Sequence, residues 1–221
     1  MTSTDSTAAE TAVDPAVEPA LETVAVDFWF DPSCPWAWMT SRWVDEVAKH
    51  RSLDVTWHIM SLAVLNEDKD VSEEYRAFFP RALRYTRLVA AAKELHGDAI
   101  VKPLYDALGT RIHPGGSVES DEVISGALEE VGLGADFARY ADSEEFDEPM
   151  RASHFDGIGR VGQDVGTPVI AVDGVAFFGP VISPAPKGDE AVALWDGVVA
   201  AARYPGFFEL KRSRTVGPIF D

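Results

Sequence analysis

"FWFDPSCPWAWM", residues 28–39, holds the only cysteine of the 221-residue chain, Cys34, at the point where an apolar run stops and an aromatic helical pattern starts. The run before it, "VAVDFWF" (24–30), is rich in β-branched and aromatic residues and nearly continuous in apolarity, as a strand buried on both faces should be. Asp31-Pro32 ends that strand. Cys34 followed by Pro35 suits an N-cap and a proline at the first helical position, where a missing N–H breaks no helical bond. Trp36, Met39, Trp43, Val44 and Val47 then recur at helical spacing up to about His50. "LDVTWHI" (53–59) alternates, with Leu53, Val55, Trp57 and Ile59 on one face of a half-buried strand. Strand, helix and strand in this order predict a right-handed parallel unit.

From about 72 to 162 the period is helical. "SEEYRAFFPRALRYTRLVAAAKELHG" predicts one long or kinked helix, interrupted at Pro80 and closed by Gly97. Shorter helices are expected near 100–109, 120–131 and 144–162. Residues 119–148 carry eleven acids against one Arg and read as solvated helix faces. Then the period shortens again. "TPVIAVDGVAFFGPVI" (167–182) is two short apolar strands joined by Asp173-Gly174, a hairpin signal. "KGDEAVALWDGVVAAARY" (187–204) is a last amphipathic helix, and "FFELKRSRTVGP" lies in a basic, extended end. The order β-α-β, helical block, β-β-α is that of an α/β thioredoxin-like fold with a helical insertion. It divides the chain into an acidic leader (1–23), an N-terminal half (24–71), the insertion (72–162) and a C-terminal half with its tail (163–221).

The charge narrows the partners. Thirty-seven acids against 19 Lys and Arg give a net −18, and such a surface repels phosphate backbones and anionic lipid. A single cysteine excludes an internal disulfide, which together with the charge points to a cytoplasmic protein that binds neither nucleic acid nor membrane. Residues 1–23 carry five acids and no base, so they lack the basic start and apolar run of a signal peptide and read as a disordered leader.

A lone cysteine is more often a small buried hydrophobe than a nucleophile. Strand, turn, Cys-Pro and helix together turn the reading of Cys34 toward a reactive thiolate, because unpaired N–H groups and the dipole at a helix start favour the anion. On this argument Cys34 is expected to titrate well below the ~8.5 of a free thiol. Thr167-Pro168, just before the hairpin, opens a strand with a residue that cannot donate to the ladder and leaves neighbouring backbone free. Pro35, Trp36 and Trp38 flank the sulfur and are candidates for an apolar floor under a flat substrate, while Trp43 is assigned to the helix core. His154, on the Met150–His154–Ile158 row of a predicted helix, is either a packed histidine or a cation beside the thiolate. His50, His58, His96 and His113 show no metal-ligand spacing, and no metal site is expected. "GIGRVG" (157–162) lacks the strand-then-helix context of a dinucleotide fingerprint.

Five separated segments, "FWFDPSCPWAW", "MSLAVLNED", "SHFDGI", "DVGTPVIAVDGVAFFGPVIS" and "FFELKRSRTVGP", resemble in order the mycothiol-dependent nitroreductase family, a DsbA-like branch of the thioredoxin superfamily. The likeness runs from about residue 24 to the C-terminus. It implies thiol–disulfide exchange with the low-molecular-weight thiol mycothiol as co-substrate, reduction of certain nitro compounds, and no bound cofactor. Cys34 maps onto the attacking cysteine and Thr167-Pro168 onto the loop opposite it. The family pattern is Cys-Pro-Trp-Cys, however, and here Ala37 holds the resolving position. A mixed disulfide at Cys34 must therefore be cleared by an external thiol. The chain is either a naturally monothiol member or one whose resolving cysteine has been replaced. The implied partners are a small thiol and a disulfide or nitro substrate, with a homodimer as a candidate assembly. Two other readings share the architecture. One is a relative of kappa-class glutathione transferases and 2-hydroxychromene-2-carboxylate isomerases, which activate glutathione without a protein–thiol bond. The other is a non-catalytic binding module.

Overall fold

A computed structural model describes residues 23–220, so the expected leader, up to residue 22, lies outside the described residues. β1 (Val24–Phe30) is followed by α1 (Pro35–Val47) and β2 (Leu53–Ile59), and the two strands pair in parallel from Val24↔Leu53 to Phe30↔Ile59. A short helix α2 (Leu62–Leu65) and four longer ones come next: α3 (Glu73–His96), α4 (Val101–Ile112), α5 (Ser120–Glu130) and α6 (Asp147–Val161). The hairpin β3 (Val169–Val172) and β4 (Val175–Phe178) and the helix α7 (Gly188–Ala202) complete the thioredoxin order. The sheet runs β2-β1-β3-β4, with β3 antiparallel to both β1 and β4.

The central place of β1 explains its composition. Phe28 and Phe30 enter the main core with residues of α1, α3, α4 and α7, and Phe30 stacks on Tyr105 with ring centroids 3.8 Å apart. Trp29 points the other way, into a smaller cluster with Met60, Leu65, Ile158, Val169 and Ala171. A strand with aromatic partners on both faces cannot alternate, because each side chain leaves water; full burial of such a side chain contributes roughly 1.5–3 kcal/mol. α6 packs close over Trp29 because Gly157 has no side chain: a Cβ there would lie 2.6 Å from the indole. Trp43 performs the core role expected of it, donating from Nε1 to the Ala191 carbonyl of α7 at 3.0 Å.

Two features depart from the sequence reading. α3 is one long helix closed by Gly97 (φ 84°), as expected, but it continues through Pro80. Residues Ala135–Asp142 form a 3-10 helix whose Phe137, Tyr140 and Ala141 are buried. The acids of 119–148 lie on solvated faces: Asp121 and Asp142 stay exposed while pairing with Arg84, and only Asp147, paired with Arg87, is half-buried. Among the described residues, no helix is long and apolar enough to cross a membrane.

Candidate active site

The turn between β1 and α1 is built on Asp31. Its backbone carbonyl accepts from Cys34 N at 2.9 Å. Its Oδ1 accepts from the backbone N–H (2.8 Å) and hydroxyl (2.6 Å) of Ser33, and its Oδ2 from Leu62 N at the start of α2 (2.7 Å). This is the short-range Asx turn that an Asp two residues before a Ser makes readily, and it presents Cys34 as the N-cap of α1 with Pro35 in the first turn. The Cys34 sulfur accepts from Ala37 N at 3.5 Å, and its thiol donates to the Thr167 carbonyl at 3.4 Å. Thr167-Pro168, joined by a cis bond, thus faces the sulfur across 133 residues of chain. The Thr167 hydroxyl is buried with no hydrogen-bond partner.

The electrostatics reverse one expectation. Cys34 is only 4% exposed. Loss of hydration pushes its thiol up from the ordinary value; the nearby Thr167 side chain and the N–H groups of Ala37 and Trp36 pull the other way, and the Asp31 charge adds to the rise. A helix start favours a thiolate, but here desolvation outweighs it. Asp31 itself, buried without a cationic partner, is pushed up to about 6 despite its three hydrogen bonds.

Of the residues singled out from sequence, Cys34, Pro35, Trp36, Ala37, Thr167 and Pro168 come together. Trp38 is 5% exposed and turns inward, edge-on to Tyr105 and under the Arg42 guanidinium. His154 is packed, one of the two roles open to it: it accepts from Ser61 N at 3.3 Å through Nδ1, and burial pushes it down to about 4. The histidine beside the turn is instead His113, whose Nε2 donates to the Pro32 carbonyl at 2.9 Å; burial also holds it at about 4. Tyr75, in the first turn of α3, lies within electrostatic reach of both Asp31 and Cys34, whose charges add to the effect of burial in pushing its hydroxyl up. Neither residue carries a sequence signal, since distant parts of the chain bring them in. Asp31 does carry one, the Asp-Pro-Ser turn, which read only as the end of a strand.

A cleft of about 300 Å³ lies alongside α1, lined by Trp38, Arg42, Lys187 and Phe220 among others, and does not include Cys34. The C-terminal segment lies against the start of α1 and the histidine beside the turn: the Arg214 guanidinium lies 5.0 Å from the Trp36 ring centroid, and Phe220 packs on His113 at 5.5 Å.

The family model described as Rv2466c-like, mycothiol-dependent nitroreductase Rv2466c, matches residues 33–212. The uncharacterized protein Rv2286c of Mycobacterium tuberculosis is 29% identical over 192 residues, 86% of this chain and 82% of that protein. Among solved structures, a protein described as a probable DsbA oxidoreductase from Streptomyces coelicolor superposes with a TM-score of 0.55 at 18% identity, covering 88% of this chain and 97% of that one. The oxidoreductase DsbA of Xylella fastidiosa gives 0.51 at 18% identity, over 82% of this chain and 87% of that one. These likenesses show the DsbA-like thioredoxin fold.

Proposed function

The chain belongs to the Rv2466c-like family of mycothiol-dependent nitroreductases, and from that premise we propose that this DsbA-like thiol oxidoreductase works with one thiol, Cys34, and takes mycothiol as its co-substrate in the cytoplasm. One observation carries the reading: the only cysteine caps α1 and faces the backbone carbonyl of Thr167 before Pro168. An incoming disulfide laid along that backbone has its sulfur in line with Cys34.

In the first step the Cys34 thiol loses its proton to solvent and the thiolate attacks a disulfide. The S–S bond breaks, a Cys34–S–S–R bond forms, and the other half leaves as a thiolate. Losing the proton also ends the thiol's donation to Thr167 O, so the anion relies on the N–H of Ala37 and on the Thr167 hydroxyl, which has no other partner. With Ala37 in the resolving position, mycothiol thiolate attacks the mixed disulfide, releases a small-molecule disulfide and regenerates Cys34. For a nitro compound, two thiols supply two electrons and two protons; one oxygen leaves as water, and a nitroso compound and a disulfide result. In this reading the helices between 72 and 162 roof the pocket through Tyr75, and 24–71 with 163–221 form the catalytic halves.

Steady-state reduction of a nitro substrate with mycothiol as electron donor tests the proposal. Cys34→Ser should abolish turnover while leaving the fold intact by circular dichroism. Full activity of Cys34→Ser would point instead to a site that activates a bound thiol without covalent exchange.

A further inference from the structure

The C-terminal segment after α7 has no regular structure, yet it is held at four places. Phe207 packs edge-on against Phe177 of β4 at 5.8 Å. Arg214 lies over Trp36. The Ser183 hydroxyl donates to Gly217 O (2.8 Å) and accepts from Ile219 N (2.9 Å). Phe220 rests on His113, which is bonded to Pro32. Arg214 thus touches Trp36, two residues after Cys34, and Phe220 touches the histidine bonded to Pro32, two residues before it. The segment is a strap beside the site.

Its charge is out of keeping with the rest of the molecule. The chain carries a net −18, and in the helical region arginines such as Arg84, Arg87, Arg111 and Arg151 each meet a carboxylate. Arg214 is exposed, and among the described residues it meets the Trp36 ring and no carboxylate. The indole holds the guanidinium in place, and its planar N–H fork matches a carboxylate or another oxyanion. An acidic protein repels anions at a distance, so an anion that reaches Cys34 needs a local cation of this kind.

We propose that Arg214, seated on Trp36 by the strap, is a specificity-determining residue that receives an anionic group of the electrophile and favours carboxylate-bearing disulfides at Cys34. This rests on Cys34 being the reactive thiol, and it names a substrate class for that site.

The test compares two aromatic disulfides, the dianionic dithiobis(nitrobenzoate) and the uncharged dithiodipyridine. Each reacts once per chain: Cys34 thiolate attacks one sulfur, the S–S bond breaks, and a coloured aryl thiolate or thione leaves with the electron pair. Second-order rate constants are measured for the full chain, Arg214→Ala and Arg214→Lys. Arg214→Ala should slow the anionic reagent roughly three- to tenfold, the effect of one charge-assisted contact at an exposed site, and leave the neutral one unchanged. Arg214→Lys should restore part of the loss. Added salt should raise the anionic-to-neutral rate ratio more in Arg214→Ala than in the unaltered chain, because it screens the long-range repulsion in both and the Arg214 attraction in one alone. Equal slowing of both reagents, equal acceleration (a strap that merely obstructs), or no change in either would overturn the proposal. If the unaltered chain reacts with neither reagent, the reading of Cys34 itself fails and Arg214 loses its role with it. If it reacts with both and the ratio ignores Arg214, Cys34 stands and only the present inference falls.

Discussion

Acidification should destabilise the protein through two histidines that the fold keeps neutral. His113 and His154 are buried and held at about 4, against 6.5 ordinarily, chiefly by loss of hydration. A base whose pKa is depressed in the folded state gains protons mainly on unfolding, so its stabilising effect is present above 6.5 and is lost as pH falls toward 4. Each contributes a loss of about 2 kcal/mol by pH 5 and about 3 kcal/mol by pH 4. Asp31 works in the opposite sense. Its folded value is raised to about 6, so the ionised form is disfavoured at neutrality, and protonation returns about 1.5 kcal/mol by pH 5 and about 2.5 kcal/mol by pH 4. The net expectation is a loss of about 2.5 kcal/mol between pH 7 and pH 5 and about 3.5 kcal/mol by pH 4. Urea unfolding followed by tryptophan fluorescence at each pH measures it. Combining His113→Gln with His154→Gln removes the histidine contribution, and stability should then stay level or rise slightly down to pH 5, relative to the variant's own value at pH 7. A flat profile for the unaltered chain, or an equal fall in the double variant, would refute the burial argument.

Two further substitutions probe the sulfur. Asp31→Asn removes a negative charge that opposes the thiolate, so thiolate absorbance should appear at lower pH; the amide cannot accept all three of the bonds that Asp31 accepts, and stability should drop by about 1–3 kcal/mol. A midpoint that rises would show that Asp31 does not act on Cys34 by charge. Ala37→Cys places a second thiol three residues on, where the Ala37 N–H already meets the sulfur. Decay of a mixed disulfide, proportional to added thiol in the present chain, should become independent of it, and continued proportionality would remove position 37 from the resolving role.

The reach of the sequence follows the physics of each element. β1, β2 and the hairpin were legible because periodicity and β-branched content report local burial, and β1 shows its central place by refusing to alternate. α2 was not, since four residues within "SLAVLNED" are too few to show a helical period. The 3-10 segment at Ala135–Asp142 hid behind its acids, although Phe137 and Tyr140 pack together at 4.8 Å. In the site, the Cys-Pro cap could be read from the order of elements, and the Thr167-Pro168 loop opposite it from the family resemblance. His113 and Tyr75 could not, because only the folding of α3 and α4 over the turn brings them there. The direction of the thiol shift was misjudged for the same reason. A helix start is written in the sequence, whereas the desolvation that outweighs it at Cys34 belongs to the packed core.

The central claim is that Cys34 forms a covalent mixed disulfide with a small thiol. Intact-mass analysis after incubation with mycothiol disulfide, and separately with glutathione disulfide, reads it in one step. The account predicts a single adduct of one mycothiol per chain, located on the peptide containing Cys34, and removed by added thiol. A chain that keeps its unmodified mass in both incubations at pH 8, while Cys34 is alkylated after unfolding, would contradict it.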